Sequence, residues 1–137
     1  IKKEKLLLKR NHRLTNIRKN YLNQTISEIV NRKPRFICIE DLNVSGMMKN
    51  RHLSKAVQAQ GFFWFRKQLE YRCSDKGIQL IVADRFYPSS KLCSCCGNIK
   101  KDLKLSDRVY RCACGNMIDR DFQASINLKT YGEKFAG

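Results

Sequence analysis

The chain has 137 residues, which is enough for one domain with at most a small satellite, and its 42% hydrophobic content argues against wholesale disorder. Lys and Arg total 28 against 12 acidic residues, so the formal net charge is +16. This excess favours a polyanionic partner, and nucleic acid is favoured over a membrane surface. No apolar run approaches the roughly 18 residues that span a bilayer, so no membrane partner is predicted.

The seven cysteines are odd in number, and five of them lie within residues 93–114. We therefore interpret them as metal ligands in a reducing compartment and not as a secreted disulfide framework. The chain starts without an initiator Met, in what its pattern indicates is the middle of a helix. We expect it to be a piece of a longer protein.

The first predicted element is a basic amphipathic helix over residues 1–33, ended by Pro34. The stretch "RFICIEDLNV" then predicts a strand buried on both faces, and residues 45–55 predict a mobile basic loop. Ser54 is the predicted N-cap of a helix over about 55–76, which ends at Gly77. Its apolar positions recur at helical spacing: Phe62, Phe65, Leu69 and Cys73.

The stretch "IQLIVAD" predicts a second buried strand, and "DFQASINLKTYG" predicts a short closing helix. Cys38 and Cys73 lie in apolar elements and are predicted to be unreactive core thiols. Helices alternating with strands predict an α/β fold. Because two strands make a poor sheet, we expect further strands upstream.

The cysteine-rich segment has the spacing of a metal site. Cys93 and Cys96 form C-x2-C, and Cys112 and Cys114 form C-x-C after 15 intervening residues. Glycine follows Cys96 and Cys114, where a metal-binding turn favours positive φ, and this leaves Cys95 as the spare thiol. The pattern predicts a tetrahedral zinc ribbon, and four thiolates leave no open position, so the zinc is structural. A set of unrelated thiols is the less favoured interpretation.

Five cations between the two cysteine pairs are predicted to contact phosphates: Lys100, Lys101, Lys104, Arg108 and Arg111. Acidic residues lie at two further places. Glu40 and Asp41 end the first strand, and Asp119 and Asp121 start the closing helix. These acids from distant segments can converge to hold magnesium for phosphodiester hydrolysis.

A plainer interpretation of the acids is equally compatible with their spacing. In it, Asp119 caps the helix, Asp121 pairs with a neighbouring Arg and Glu40 is a solvated strand end.

Three ordered segments, "FICIEDLNVSGM", "SSKLCSCCGNIKKDLKLSDRVYRCACG" and "DRDFQASINL", closely resemble the C-terminal half of the transposon-encoded OrfB/TnpB family. The resemblance covers roughly residues 30–131. It implies an incomplete RuvC/RNase H-like α/β domain with an inserted zinc ribbon. The implied segments are the basic helix 1–33, a RuvC-like part 34–87, the ribbon 88–118 and the closing helix 119–137.

The resemblance also implies RNA-guided cleavage of double-stranded DNA, with DNA and guide RNA as partners in a prokaryotic cytoplasm. In the family pattern, Glu40 and Asp121 match catalytic acids that bind magnesium, and the zinc ligands match Cys93, Cys96, Cys112 and Cys114. Gln123 stands where Asn is common. No residue matches the first catalytic Asp, since Asp84 occurs at the wrong place in the pattern.

We therefore expect the chain to be catalytically incomplete by itself. The alternatives are a non-catalytic nucleic-acid-binding remnant that keeps its zinc ribbon, or a zinc-ribbon adaptor of the transcription or translation machinery.

Overall fold

The computed structural model describes residues 1–42 and 53–137, and for residues 53–59 it describes only the backbone. The described part of the chain separates into two compact units, a helical unit and a unit that contains all of the described strands. The helical unit holds α1 (Lys2–Asn31) and α2 (Leu53–Lys76). The strand unit holds β1 (Phe36–Ile39), β2 (Gln79–Val82), β3 (Val109–Arg111), β4 (Met117–Asp119) and α3 (Arg120–Phe135).

In the helical unit, α1 contacts α2, and the core lies toward the C-terminal ends of both helices. The helix predicted over residues 1–33 is confirmed and ends at Asn31, just before Pro34. Leu14, Ile17 and Tyr21 follow the same periodicity but are 52%, 55% and 68% exposed. Among the side chains that the structure describes, the buried ones of this unit are Ile26, Val30, Leu69, Cys73 and Ile78.

The second helix ends at Lys76, directly before Gly77, as predicted. It already includes Leu53, which places Ser54 inside the helix and not at its N-cap. Most of the predicted basic loop 45–55 lies outside the described residues. Of the apolar residues at helical spacing, Leu69 and Cys73 are buried, whereas Phe62 is 45% exposed. Among the described residues, no helix has the length and hydropathy needed to cross a membrane.

Strands β1 and β2 pair in parallel, from Phe36 beside Gln79 to Ile39 beside Val82. The prediction that β1 is buried on both faces is wrong, because all four of its residues are only half-buried. In β2, which was predicted to be buried, Ile81 is buried and Gln79 is exposed. Within the described residues this sheet has two strands, and each keeps one unpaired edge. Cys73 is buried, as predicted for a core thiol, whereas Cys38 is half-buried. Burial raises the pKa of both thiols.

Helix α3 packs directly on β1, and Gly132 makes this close approach possible. A methyl group at Gly132 would overlap the Phe36 ring and lie 3.1 Å from the Cys38 Cβ. We expect Gly132→Ala to lower the free energy of unfolding by about 1–3 kcal/mol, measured by denaturant titration, because this contact has no room for extra volume.

Gly61→Ala is the matched control, since a Cβ at Gly61 in α2 meets no atom of the described residues within 4 Å. In a helix interior this change is expected to raise the free energy of unfolding by about 0.5–1 kcal/mol. A destabilisation of similar size at both sites would contradict the proposed packing of α3 on β1.

Candidate metal centre and acidic cleft

The four predicted cysteine ligands come together in one cluster, called here the four-cysteine cluster: Cys93, Cys96, Cys112 and Cys114. Their Sγ atoms all lie within 4.8 Å of one another. The Cys93 and Cys114 sulfurs are 3.7 Å apart, and those of Cys96 and Cys112 are 3.5 Å apart. Tetrahedral zinc with bonds of about 2.3 Å places its sulfur ligands roughly 3.8 Å apart. The cluster therefore fits a metal such as zinc.

Each cysteine pair sits on a turn that is closed by a backbone hydrogen bond. The N–H of Cys93 donates to the Asn98 carbonyl at 2.8 Å, and the N–H of Cys112 donates to the Asn116 carbonyl at 2.9 Å. Gly97 and Gly115 adopt φ of 77° and 96°, as predicted for the residue after each second cysteine. The shorter C-x-C pair thus forms an equivalent turn.

The surroundings of Cys93 and Cys114 give these two thiols very different pKa values. Burial raises the pKa of Cys93. Hydrogen bonds to its sulfur, chiefly from the Cys96 N–H and the Asn116 amide, together have the larger effect and lower the pKa to about 6. The Asn116 N–H lowers the pKa of Cys114, but neighbouring thiols, Cys112 first, raise it to about 12. Without a cation, four adjacent thiols cannot all ionise, so the cluster favours a bound metal that neutralises them.

The same segment has one large buried side chain, Tyr110, which is 0% exposed. Its hydroxyl donates to the Lys91 carbonyl at 3.0 Å. Tyr110 lies in β3, which pairs with β4 as an antiparallel hairpin. At the first cysteine turn, Leu92 forms an isolated β-bridge with Ile99. Tyr110 and Cys93 are therefore the chief buried side chains of this segment, since Cys112 is half-buried and Cys96 and Cys114 are exposed.

Helix α3 is tied to the four-cysteine cluster through Gln123, which is 0% exposed. The Gln123 Oε1 accepts from the Asn116 side-chain amide at 2.9 Å and from the Ser94 N–H at 3.2 Å. The Asn116 amide nitrogen also lies 3.4 Å from the Cys93 sulfur. One amide thus bridges a predicted metal ligand and the helix.

A second buried amide, Asn127, holds the segment that leads into the cluster. Its Nδ2 donates to the carbonyls of Ser89 and Leu92 at 2.7 and 2.8 Å. Sequence reasoning assigned no role to Gln123 or Asn127 beyond the family comparison. The one sign of a shared role in the sequence is their spacing of four residues, which places Gln123 and Asn127 on the same face of the closing helix.

Three neighbouring residues at the start of α3 make different contacts. Asp119 caps the helix, since its Oδ1 accepts from the Phe122 N–H at 2.9 Å. The Arg120 guanidinium donates to the carbonyls of residues 104–105 at 3.1 and 2.8 Å. Asp121 is 79% exposed, and its Oδ1 lies 3.8 Å from the Arg120 Nε. The Asp119 cap and this Arg pairing are what the plainer interpretation expected.

The carboxyl ends of β1 and β2 form a cleft of about 340 Å³, lined by Glu40, Asp41, Asp84 and Ser89 among others. The Ser89 hydroxyl donates to the Glu40 Oε1 at 2.5 Å. Because the Ser89 carbonyl accepts from Asn127, a continuous hydrogen-bonded path leads from Glu40 to α3.

Asp121 is not among the residues that line this cleft. It precedes Asn127 by six residues, or about 9 Å along the helix. Among the described residues, the four-cysteine cluster is the one group of three or more His, Cys, Asp or Glu side chains that lie close enough together to hold a metal ion. The structure thus links both predicted acids to α3 without bringing their carboxylates into one cleft.

Four of the five cations predicted to contact phosphates are exposed on the cysteine segment: Lys101, Lys104, Arg108 and Arg111. Lys100 is half-buried. Its Nζ donates to the Arg111 carbonyl at 3.1 Å and lies 5.9 Å from the centre of the Tyr110 ring. Lys100 therefore contributes to the packing of the segment, and the other four side chains face solvent.

Comparison with known proteins gives consistent matches. Residues 62–128 match the family model described as "Cas12f1-like, TNB domain". A Streptomyces pristinaespiralis protein named "Putative RNA-guided DNA endonuclease" is 38% identical over 120 residues, or 88% of this chain and 30% of that protein. InsQ of Escherichia coli K12, which carries the same description, is 30% identical over 126 residues, or 80% of this chain and 31% of that protein.

Among solved structures, the chain matches the cryo-EM structure of the Cas12f1–sgRNA–target DNA complex. The match has a TM-score of 0.63 at 16% identity and covers 90% of this chain and 35% of that one. The two chains therefore share a fold. This chain spans about 30% of the length of the two curated relatives.

Proposed function

Because the chain belongs to the TnpB-type family of proteins, we propose that it is the C-terminal nuclease portion of an RNA-guided DNA endonuclease. In this proposal the strand unit is part of a RuvC-like domain, and residues 88–118 are a zinc ribbon inserted before its closing helix. Its partners are DNA and a guide RNA. Glu40 and Asp121 are the two catalytic acids that this chain contributes.

One observation carries the proposal: α3 connects the metal centre and both predicted acids. Asp121 lies on its first turn, Gln123 bonds to the ligand-holding amide of Asn116, and Asn127 holds Ser89, which donates to Glu40. A helix with these contacts is suited to fix the acids relative to the ribbon. This supports a positioning role for the ribbon.

The acids suit magnesium by their chemistry, since it prefers carboxylate oxygens. When bound, magnesium supplies an activated water and stabilises the leaving oxygen in phosphodiester hydrolysis. The Ser89 hydroxyl holds one oxygen of Glu40 and fixes its orientation. Asp119 satisfies the helix N-terminus, which leaves the exposed Asp121 carboxylate available as a ligand.

The zinc in this proposal is structural. Four thiolates complete its coordination and leave no position for a substrate. Exposed Lys101, Lys104, Arg108 and Arg111 give the ribbon a cationic surface for a phosphate backbone. Recognition of nucleic acid by the ribbon would thus lie beside the helix that carries Asp121.

Two acids make an incomplete magnesium site, so the chain alone is expected to bind magnesium weakly and to cleave little single-stranded DNA. A version extended upstream to include the first catalytic aspartate is expected to cleave in a magnesium-dependent manner. Cleavage by both proteins at several magnesium concentrations tests this difference.

Robust magnesium-dependent nicking by this chain alone would refute its predicted incompleteness. If both proteins bind nucleic acid and neither cleaves it, the chain is a non-catalytic binding module, and Asp121 belongs only to the helix start.

A further inference from the structure

We propose that one face of α1 is a separate surface for the phosphate backbone of a nucleic acid. We call it the Lys2 face: Lys2, Lys5, Lys9, Arg13, Asn16 and Asn20. It lies in the helical unit, and none of its residues belongs to the four-cysteine cluster or the acidic cleft. The inference rests on the proposed function, which supplies the nucleic acid as partner.

Helical spacing places the six residues on one side of α1. Each follows the previous one by three or four positions, the separation at which side chains on a helix are neighbours. All six are exposed. The face is about 27 Å long from Lys2 to Asn20, with its side chains about 5–6 Å apart along the axis. It therefore offers a straight row of donors to a long ligand.

Four of the six residues in this row are cations, and none is acidic. Residues 1–20 contain eight Lys or Arg side chains and a single acid, Glu4, which is not part of the Lys2 face. Among the described residues, no carboxylate forms an ion pair with Lys2, Lys9 or Arg13. The cations of the row are therefore open to a polyanion.

A nucleic acid fits this row better than an anionic membrane. Leu6, Leu14 and Tyr21 are exposed on another side of α1. Lys3 and Arg10 lie on that same apolar side, between and beside these residues. A membrane that took up this apolar side would also have to accept those cations. A duplex presents one phosphate per about 3.4 Å of each strand, a spacing shorter than that between successive side chains of the Lys2 face. Asn side chains donate to phosphate oxygens as well.

The test compares two triple variants of α1. Lys2→Gln with Lys9→Gln and Arg13→Gln removes three charges from the Lys2 face. Lys3→Gln with Arg10→Gln and Arg18→Gln removes three charges from exposed positions elsewhere on the same helix. Gln has nearly the helix propensity of Lys and Arg, and the buried Ile26 and Val30 are unchanged, so both variants should keep their fold. Circular dichroism checks this.

Binding is measured by fluorescence anisotropy of a labelled 20-base-pair DNA duplex and of an RNA duplex of equal length, in zinc-loaded, magnesium-free protein. At about 0.1 M salt the Lys2-face variant is expected to bind at least about tenfold more weakly. Its slope of log K against log salt should be smaller by about 2–3, roughly one for each lost phosphate contact. The control variant should weaken binding by no more than about threefold.

Equal losses in both variants would overturn the inference, since net charge would then explain binding. Unchanged duplex binding by the Lys2-face variant, with loss of binding to phosphatidylglycerol vesicles, would also overturn it and assign the face to a membrane. Because the assay contains no magnesium, its outcome is separate from that of the cleavage test. If the protein cleaves DNA in a magnesium-dependent manner and the Lys2-face variant binds both duplexes as tightly as the parent, only this inference is refuted and the proposed function stands.

Discussion

Asp121→Asn is expected to reduce magnesium-dependent DNA cleavage by about a hundredfold or more, in a version of the protein extended upstream to include the first catalytic aspartate. The change keeps the shape of the side chain and removes its charge. A catalytic metal contributes several kcal/mol of transition-state stabilisation, so loss of one of its carboxylate ligands should have an effect of this size. Glu40→Gln should act in the same way. The measurement is the single-turnover cleavage rate at saturating protein.

Asp119→Asn is the matched control, because it makes the same chemical change two residues earlier. Asp119 accepts from the Phe122 N–H as the N-cap of α3, and Asn caps helices about as well as Asp. Cleavage and stability should therefore stay close to those of the parent. Equal loss of cleavage in both variants would show that the acids act only through the start of the helix.

Removal of the metal is expected to have the second large effect, unfolding of residues 88–118. The fully buried side chains of this segment are few, chiefly Cys93 and Tyr110, so its hydrophobic core contributes little. Structural zinc sites contribute binding free energies of about 10–16 kcal/mol in comparable peptides. Chelation or Cys96→Ser should abolish the hydrogen-exchange protection of the amides that close the two cysteine turns. Zinc content, measured by atomic emission, should fall together with protection.

Cys95→Ser is the control for this experiment, because Cys95 is exposed and lies outside the cluster. It should keep one zinc per chain and full protection. Removal of zinc should also loosen the first turns of α3, where Gln123 would lose the Ser94 and Asn116 donors. Protection that survives complete removal of the metal would show that the thiols are ordinary buried or surface groups.

The parts of the structure that depend on near neighbours in the chain were predictable from the sequence. The spacing of Cys93 and Cys96, and the glycine after each second cysteine, reflect the requirements of single turns. The local β3–β4 hairpin likewise brings Cys112 and Cys114 together on the second turn. The C-terminal ends of α1 and α2 likewise follow from Pro34 and Gly77.

Features that depend on distant partners were not predictable in the same way. An apolar run indicates that β1 is a strand, but it does not tell how many strands lie beside it, and β1 is only half-buried. The periodicity of α1 continues through Ile17, which is 55% exposed. Gln123 and Asn127 resemble surface residues, and their burial depends on groups 29 to 38 positions away.

The second cysteine turn bears on how related chains are recognised. Cys112 and Cys114 close their turn with one residue fewer than Cys93 and Cys96, yet all four sulfurs lie within 4.8 Å. A search pattern written as two C-x2-C pairs would pass over this chain. What both turns share is a glycine at positive φ after the second cysteine. A pattern that fixes this glycine and lets the gap vary between one and two residues would describe the geometric requirement and would include chains of this type.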